Sequence, residues 1–294
     1  MVPRLAAVIV AVLALAGCVA PGSAEPVGFT PGSTAHAMTF GGLDRGYRLY
    51  IPDGVSSPAP LVVMLHGGFG SAAQAERAYG WDELAKNAKF VVAYPDGVGR
   101  AWNVGGCCGR PGRDHVDDVG FVSEVVADVS AHVGIDPARI YATGISNGGM
   151  MTYALACNSD RFAAIGPVAA TQLDACPAPR PTSVLHIHGT ADRMIRYDGG
   201  PGDGVARIDG PPVLDVNAFW RNVDQCSMPA VTTGGPVSTS TAACPDGRSV
   251  ALITIDGAGH QWPGSQLVRE GADPPTQTLN ATSTLWSFFA AHSR

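Results

Sequence analysis

The chain reads as one α/β domain, a mostly parallel central sheet with helices on both faces. Three observations predict it. Runs such as "PLVVML" and "FVVAYP" have no polar side, as strands covered on both faces should. They alternate with helix-period segments from about residue 35 onward. The 294 residues, 46% hydrophobic and 15% charged, suffice for one large core, and neither a repeat nor an internal linker divides them. The net charge of −6 offers no basic face to phosphate, which excludes nucleic acid as a partner.

Residues 1–18 are expected to be a signal peptide. Arg4 precedes the apolar run "LAAVIVAVLALAG", too short to span a bilayer comfortably. The run ends in "LAGC", similar to a bacterial lipobox, which would make Cys18 the lipid-bearing first residue of an exported, membrane-anchored chain. An ordinary secretory signal cut after Ala24 is the alternative. A flexible linker over 19–34 then leads to a single folded domain, 35–294.

Within that domain "YRLYIP" is an early strand and "PLVVML" a buried one that ends at "HGGFGS". "AAQAERAYGWDELAKNA" predicts one helix and "FVVAYPDG" the next strand, followed by a loop holding Trp102, Cys107 and Cys108. Val122, Val125, Val126, Val129 and Val133 share one helical face, with Asp117 or Asp118 as its cap. "RIYATGIS" is a strand, "NGGMMTYALAC" a helix, and "FAAIGPVAA" and "SVLHIHGTAD" are strands. A Gly/Pro-rich stretch from Tyr197 to Pro212 precedes a helix bearing Val216, Phe219, Trp220 and Val223. "SVALITIDGAGH" is the last strand, and "LNATSTLWSFFAAH" the closing helix.

Cysteine usage agrees with export. Of seven cysteines, lipidation of Cys18 leaves six that can oxidise outside the cytosol. Cys226 and Cys244 flank a Ser/Thr/Gly-rich segment and are the expected pair, a loop whose closure contributes about 3 kcal/mol. Cys107 and Cys108 are expected to pair separately with Cys157 and Cys176, because a bond between neighbours strains the backbone.

Gly144-Ile145-Ser146-Asn147-Gly148 fits G-x-S-x-G between a strand and a helix, the context of a nucleophile elbow. The elbow holds its Ser in strained φ/ψ, and side chains two residues to either side would collide. A Ser hydroxyl needs a base, and the base an orienting acid. In α/β-hydrolase order the acid and then the His follow at later strand ends, which selects Asp192 and His260, with Asp198 as the second choice of acid. Asn147, at a helix start, offers one N–H to a developing oxyanion, and Gly68 or Phe69 in "HGGFGS" offers another. His186 and His188 suggest a zinc motif, but the positions for further ligands hold Thr190 and Ala191. His186 is therefore expected inside the strand and His188 in the turn. No metal or cofactor is expected.

"LHGGFGSA", "YPDG", "AWNVGGCCG", "VDDVGFV", "GISNGGMM", "LHIHGTAD" and "GAGHQWPG" resemble the polyhydroxybutyrate-depolymerase-like esterase family, which includes feruloyl and acetylxylan esterases. With its "LAGC" the chain is similar to esterase lipoproteins of actinobacteria such as mycobacteria. The resemblance implies an α/β-hydrolase with Ser146, Asp192 and His260 as triad, and Trp102 and Trp262 lining the substrate pocket, with core packing as the alternative for either ring. It implies hydrolysis of short-chain, hydroxyalkanoate or feruloyl and acetyl-type esters. A cell-envelope acyltransferase, a peptidase with the same triad, and a non-catalytic binding lipoprotein are the alternatives.

Overall fold

The runs without a polar side form the middle of a ten-stranded sheet. A computed structural model describes Met1, residues 29–266 and residues 272–294, so Cys18 and the targeting segment lie outside the described residues. The chain runs through β1 (Gly32–Phe40), β2 (Leu43–Ile51), β3 (Ala59–Leu65), β4 (Val91–Pro95), β5 (Ile135–Ile145), β6 (Ala164–Val168) and β7 (Ser183–Gly189). A separate two-residue ladder, β8 (Gly200–Pro201) with β9 (Asp209–Gly210), closes the Gly/Pro-rich loop. β10 (Ala230–Gly234), β11 (Val237–Ala243) and β12 (Ser249–Ile255) complete the strands. The helices are α1 (Ala72–Ala78), α2 (Trp81–Ala88), α3 (Gly109–Arg113), α4 (Asp118–His132), α5 (Asn147–Asn158), α6 (Val213–Val223) and α7 (Ala281–Ala290).

The spatial order is β1-β2-β4-β3-β5-β6-β7-β12-β11-β10. From β4 to β12 the six central strands are parallel, and antiparallel hairpins extend both edges. Alternation along each strand divides the core in two. Leu61, Val63 and Leu65 point to the side covered by Phe121 and Val125 of α4, Met151 of α5 and Trp220 of α6. Val62 and Met64 point to the other, against Ala75 of α1, Trp81 of α2 and Phe289 of α7. Non-polar burial on both faces is what those sequences need to offset the entropy of ordering the chain.

α4 buries the expected Val122, Val125, Val126 and Val129. Asp117 caps it by accepting the Gly120 N–H at 2.8 Å. Asp118 does something else. Its Oδ1 takes Arg45 Nη2 at 2.7 Å and its Oδ2 takes the Asn103 N–H at 2.8 Å, which ties the loop beyond β4 to the sheet. Arg45 also lies 3.6 Å above the Phe121 ring, so the guanidinium is covered as well as paired.

Four expectations change. The single helix after "HGGFGS" is two, because Gly80 adopts a left-handed φ of 72° between α1 and α2. The Ser/Thr-rich segment is not a plain loop but the β10–β11 hairpin at the sheet edge. The folded body begins before residue 35, since β1 opens at Gly32 and the Phe29 ring lies against His36 and His132. Finally, Cys107 and Cys108 bond to each other, and Cys157 bonds to Cys176. The Cys107–Cys108 peptide is cis and brings their Cα atoms to 3.1 Å, which lets neighbouring thiols meet. Cys226–Cys244 forms as expected, at the base of the hairpin.

Candidate active site

Three strand ends on one edge of the sheet carry the candidate groups. Ser146 follows β5 directly and caps α5 with φ 56° and ψ −124°, a conformation that non-glycine residues avoid. Its N–H donates to Val168 O at the end of β6, at 2.9 Å. The surrounding glycines are forced by close approach. A Cβ on Gly144 would fall 2.6 Å from the Gly148 carbonyl carbon, and one on Gly148 2.7 Å from that of Leu65. One on Gly149 would meet Ala170 Cβ at 2.7 Å, where α5 packs on β6.

Asn147 is buried and pairs with Trp102 on both sides of that residue's backbone. Its Oδ1 accepts the Trp102 N–H at 2.7 Å, and its Nδ2 donates to Trp102 O at 3.0 Å. Nδ2 also approaches Cys108 Sγ at 3.7 Å. Trp102 Nε1 in turn donates to His66 O at 2.9 Å. The Trp102 ring is therefore a buried spine between the glycine turn and α5, not a pocket wall. Trp262 is likewise buried, packed on Tyr79 and Trp81, with Nε1 donating to Thr282 Oγ1. Neither ring presents the surface that a substrate-lining role requires.

His66, the first residue of "HGGFGS", is a supporting group that the sequence reading missed. Its Nε2 accepts the Gly97 N–H at 3.0 Å, so its proton sits on Nδ1 and is donated to Gly67 O at 2.9 Å. Burial holds its pKa below the ordinary histidine value, against smaller opposing effects of the Gly67 bond and Asp96. Phe69 has φ 62° and donates its N–H to Arg100 O at 2.8 Å. That donor is committed elsewhere, which removes Phe69 from the expected oxyanion role. Gly68 lies beside the elbow, where an added Cβ would lie 3.9 Å from Asn147 Cβ.

Asp192 and His260 meet as the sequence predicts. His260 Nδ1 lies 2.8 Å from Asp192 Oδ2, with the carboxylate buried and the imidazole partly exposed. Asp192 Oδ1 accepts the Met194 and Ile195 N–H groups, each at 2.9 Å. Burial alone would raise this carboxyl's pKa, but the hydrogen bonds from His188 and His260 hold it well below the carboxylate range. Asp273, unsuspected from sequence, accepts the His260 N–H at 2.6 Å and braces the turn. Asp198 is exposed in the next loop. His186 and His188 bond to one another at 3.0 Å. Among the described residues, no group of three or more His, Cys, Asp or Glu is arranged to hold a metal ion.

A strained Ser between glycines, with an acid–histidine pair at later ends of a mostly parallel sheet, defines an α/β-hydrolase. Residues 45–249 match the family model described as Esterase PHB depolymerase, and the chain belongs to that esterase family. A protein of Nocardia uniformis subsp. tsuyamanensis named NocK and described as an esterase is 37% identical over 259 residues, 79% of this chain and 74% of that protein. Feruloyl esterase B of Piromyces equi is 33% identical over 219 residues, 69% of this chain. The match spans 39% of that longer enzyme. In fold, the acetyl xylan esterase from Aspergillus awamori superposes with a TM-score of 0.63 at 15% identity, covering 88% of this chain and 99% of that one.

The neutral state of His66 has a thermodynamic signature. Below about pH 6.5 the unfolded chain takes up a proton at this residue that the folded protein resists, so stability falls as the solution is acidified. His66→Asn should lower the melting temperature at neutral pH yet show a shallower fall between about pH 7 and 5. Parallel melting curves for the two proteins across that range would remove His66 from this account.

Proposed function

We propose that this chain is a serine carboxylesterase with Ser146 as nucleophile, His260 as general base and Asp192 as its orienting acid. The observation that carries the reading is Ser146, held at φ 56° at the start of α5, on the sheet edge that also bears the Asp192–His260 pair. With Nδ1 turned to Asp192, His260 offers Nε2 to take the hydroxyl proton as Oγ attacks the ester carbonyl. The same nitrogen then protonates the leaving alcohol, and water releases the acyl group by the reverse order of steps. The backbone N–H groups of Asn147 and Gly68 receive the oxyanion, aided by the positive end of α5.

The substrates are short-chain, hydroxyalkanoate or feruloyl and acetyl-type esters; the family description supports the hydroxyalkanoate class, and the names of relatives the feruloyl and acetyl classes. Export and anchoring through Cys18 are supported by "LAGC" after an apolar run and by three disulfides, which persist outside reducing compartments. On this reading residues 1–17 are removed, Cys18 carries the lipid, the residues after it tether, and the folded body that includes β1 from Gly32 onward catalyses.

Hydrolysis of p-nitrophenyl esters from acetyl to octanoyl tests the chemistry. Rates should be highest for the shortest acyl chains, and Ser146→Ala should lower kcat by about 10,000-fold or more with an unchanged melting temperature. A folded Ala variant that still turns over would refute the assignment. For the anchor, wild-type protein should partition with membranes and Cys18→Ser should not. A Ser variant that remains membrane-bound would refute lipid attachment at this residue.

A further inference from the structure

β7 carries two buried histidines for which ester hydrolysis as proposed has no step. His186 and His188 are 0% and 1% exposed, where an unpaired ring nitrogen is costly. Their nitrogens form a line, and His186 also meets the Ala170 backbone. Tyr153 Oη is 2.9 Å from His186 Nδ1, His186 Nε2 is 3.0 Å from His188 Nδ1, and His188 Nε2 is 2.8 Å from Ile195 O. The same Nε2 lies 3.4 Å from Asp192 Oδ2, the oxygen that holds His260.

The acceptors fix the protons. Ile195 O and the ionised Asp192 have none to give, so His188 Nε2 carries one. Burial keeps His186 neutral, with the nearby His188 acting in the same direction. With both rings neutral, the line has one sense. Tyr153 donates to His186 Nδ1, His186 Nε2–H donates to His188 Nδ1, and His188 Nε2–H is shared between Ile195 O and Asp192 Oδ2.

We propose that His188 is a positioning residue of the esterase site, holding the Asp192 carboxylate in the orientation His260 needs, and that Tyr153, through His186, fixes the His188 tautomer able to do so. The inference rests on the assignment of Ser146, His260 and Asp192 above. Asp192 Oδ1 is gripped by two backbone N–H groups, while among the described residues Oδ2 has the two imidazoles to define its direction. The titratable groups facing His188 are His186 on its own strand, Asp192 at the edge, and Tyr197, whose ring centre is 5.9 Å away, while His260 meets the same Asp192 oxygen. Without the His188 donor, the Asp192 charge acts more fully on the His260 imidazolium, and the acid limb of the pH–rate profile moves upward.

The test compares wild type, His188→Leu, His188→Gln and Tyr153→Phe in kcat, KM and pH–rate profile on p-nitrophenyl acetate. His188→Leu should lower kcat by about 10- to 100-fold with KM within about twofold, as small misplacements of catalytic groups do. Its acid limb should rise by about half a pH unit. His188→Gln, which restores an N–H donor, should recover most of the loss, and Tyr153→Phe should shift the profile the same way by less. A folded Leu variant with wild-type kcat and acid limb would reduce both histidines to core packing. If the Leu variant does not fold, Tyr153→Phe decides, and an unchanged profile there overturns the proposal. Absence of Ser146-dependent turnover in wild type would instead refute the esterase reading. The positioning claim is then judged by the downfield NMR signal of the His260 Nδ1 proton, which must move in Tyr153→Phe and overturns the claim if it does not.

Discussion

The first turn of α5 presses against the backbone of β3 and β5 with no room for a single methyl group at Gly144 or Gly148. That contact sets the angle at which the chain leaves the sheet, and the angle forces Ser146 into its strained backbone conformation. Strain of this kind persists only when the surroundings over-determine it. Here the Ser146 N–H is tied to β6, and the buried Asn147 side chain locks onto the Trp102 backbone. The nucleophile is thus positioned by sheet packing, with the energy of two hydrophobic layers behind it.

From this contact, buried polar bonds spread outward and fix the loops. Trp102 links α5 to His66, and His66 links the glycine turn to the chain beyond β4. Asp118 pins Asn103 from the start of α4 and is itself paired with Arg45. On the opposite flank, Asp192 gathers donors from two backbone groups and two imidazoles, while Asp273 braces the turn that carries His260. Where such a bond is buried, as at Asp118 with Arg45 and Trp102 with His66, a missing partner would cost far more than the bond itself contributes. The site is rigid because its supports are buried.

Much of this was legible in the chain, for local reasons. The glycines around Ser146 are a short-range signal, and Asp192 and His260 stand directly after apolar runs whose strand character is plain. The face of α4 followed from helical spacing. Other features depend on contacts that no spacing encodes. The β10–β11 hairpin has few buried side chains, so it lacks the alternation that marks a strand. The break at Gly80 falls within a run whose apolar spacing continues through it. The Cys107–Cys108 bond needs a local geometry invisible in a count of cysteines. The pocket role of Trp102 and Trp262 came from the family resemblance, and the choice between pocket wall and core needed their burial. The pairing of His186 with His188 follows their shared strand face, but their link to Asp192 needs the turn in three dimensions.

The central claim is that acyl transfer passes through Ser146 Oγ. Acid-quenched samples taken during turnover of an activated acetyl ester, followed by intact mass and peptide mapping, test it most directly. The account predicts a single acetyl adduct on Ser146 that forms within the first turnover and disappears as substrate is exhausted. Active protein bearing the adduct on another residue, or no adduct in any sample under conditions where deacylation limits the rate, would contradict it.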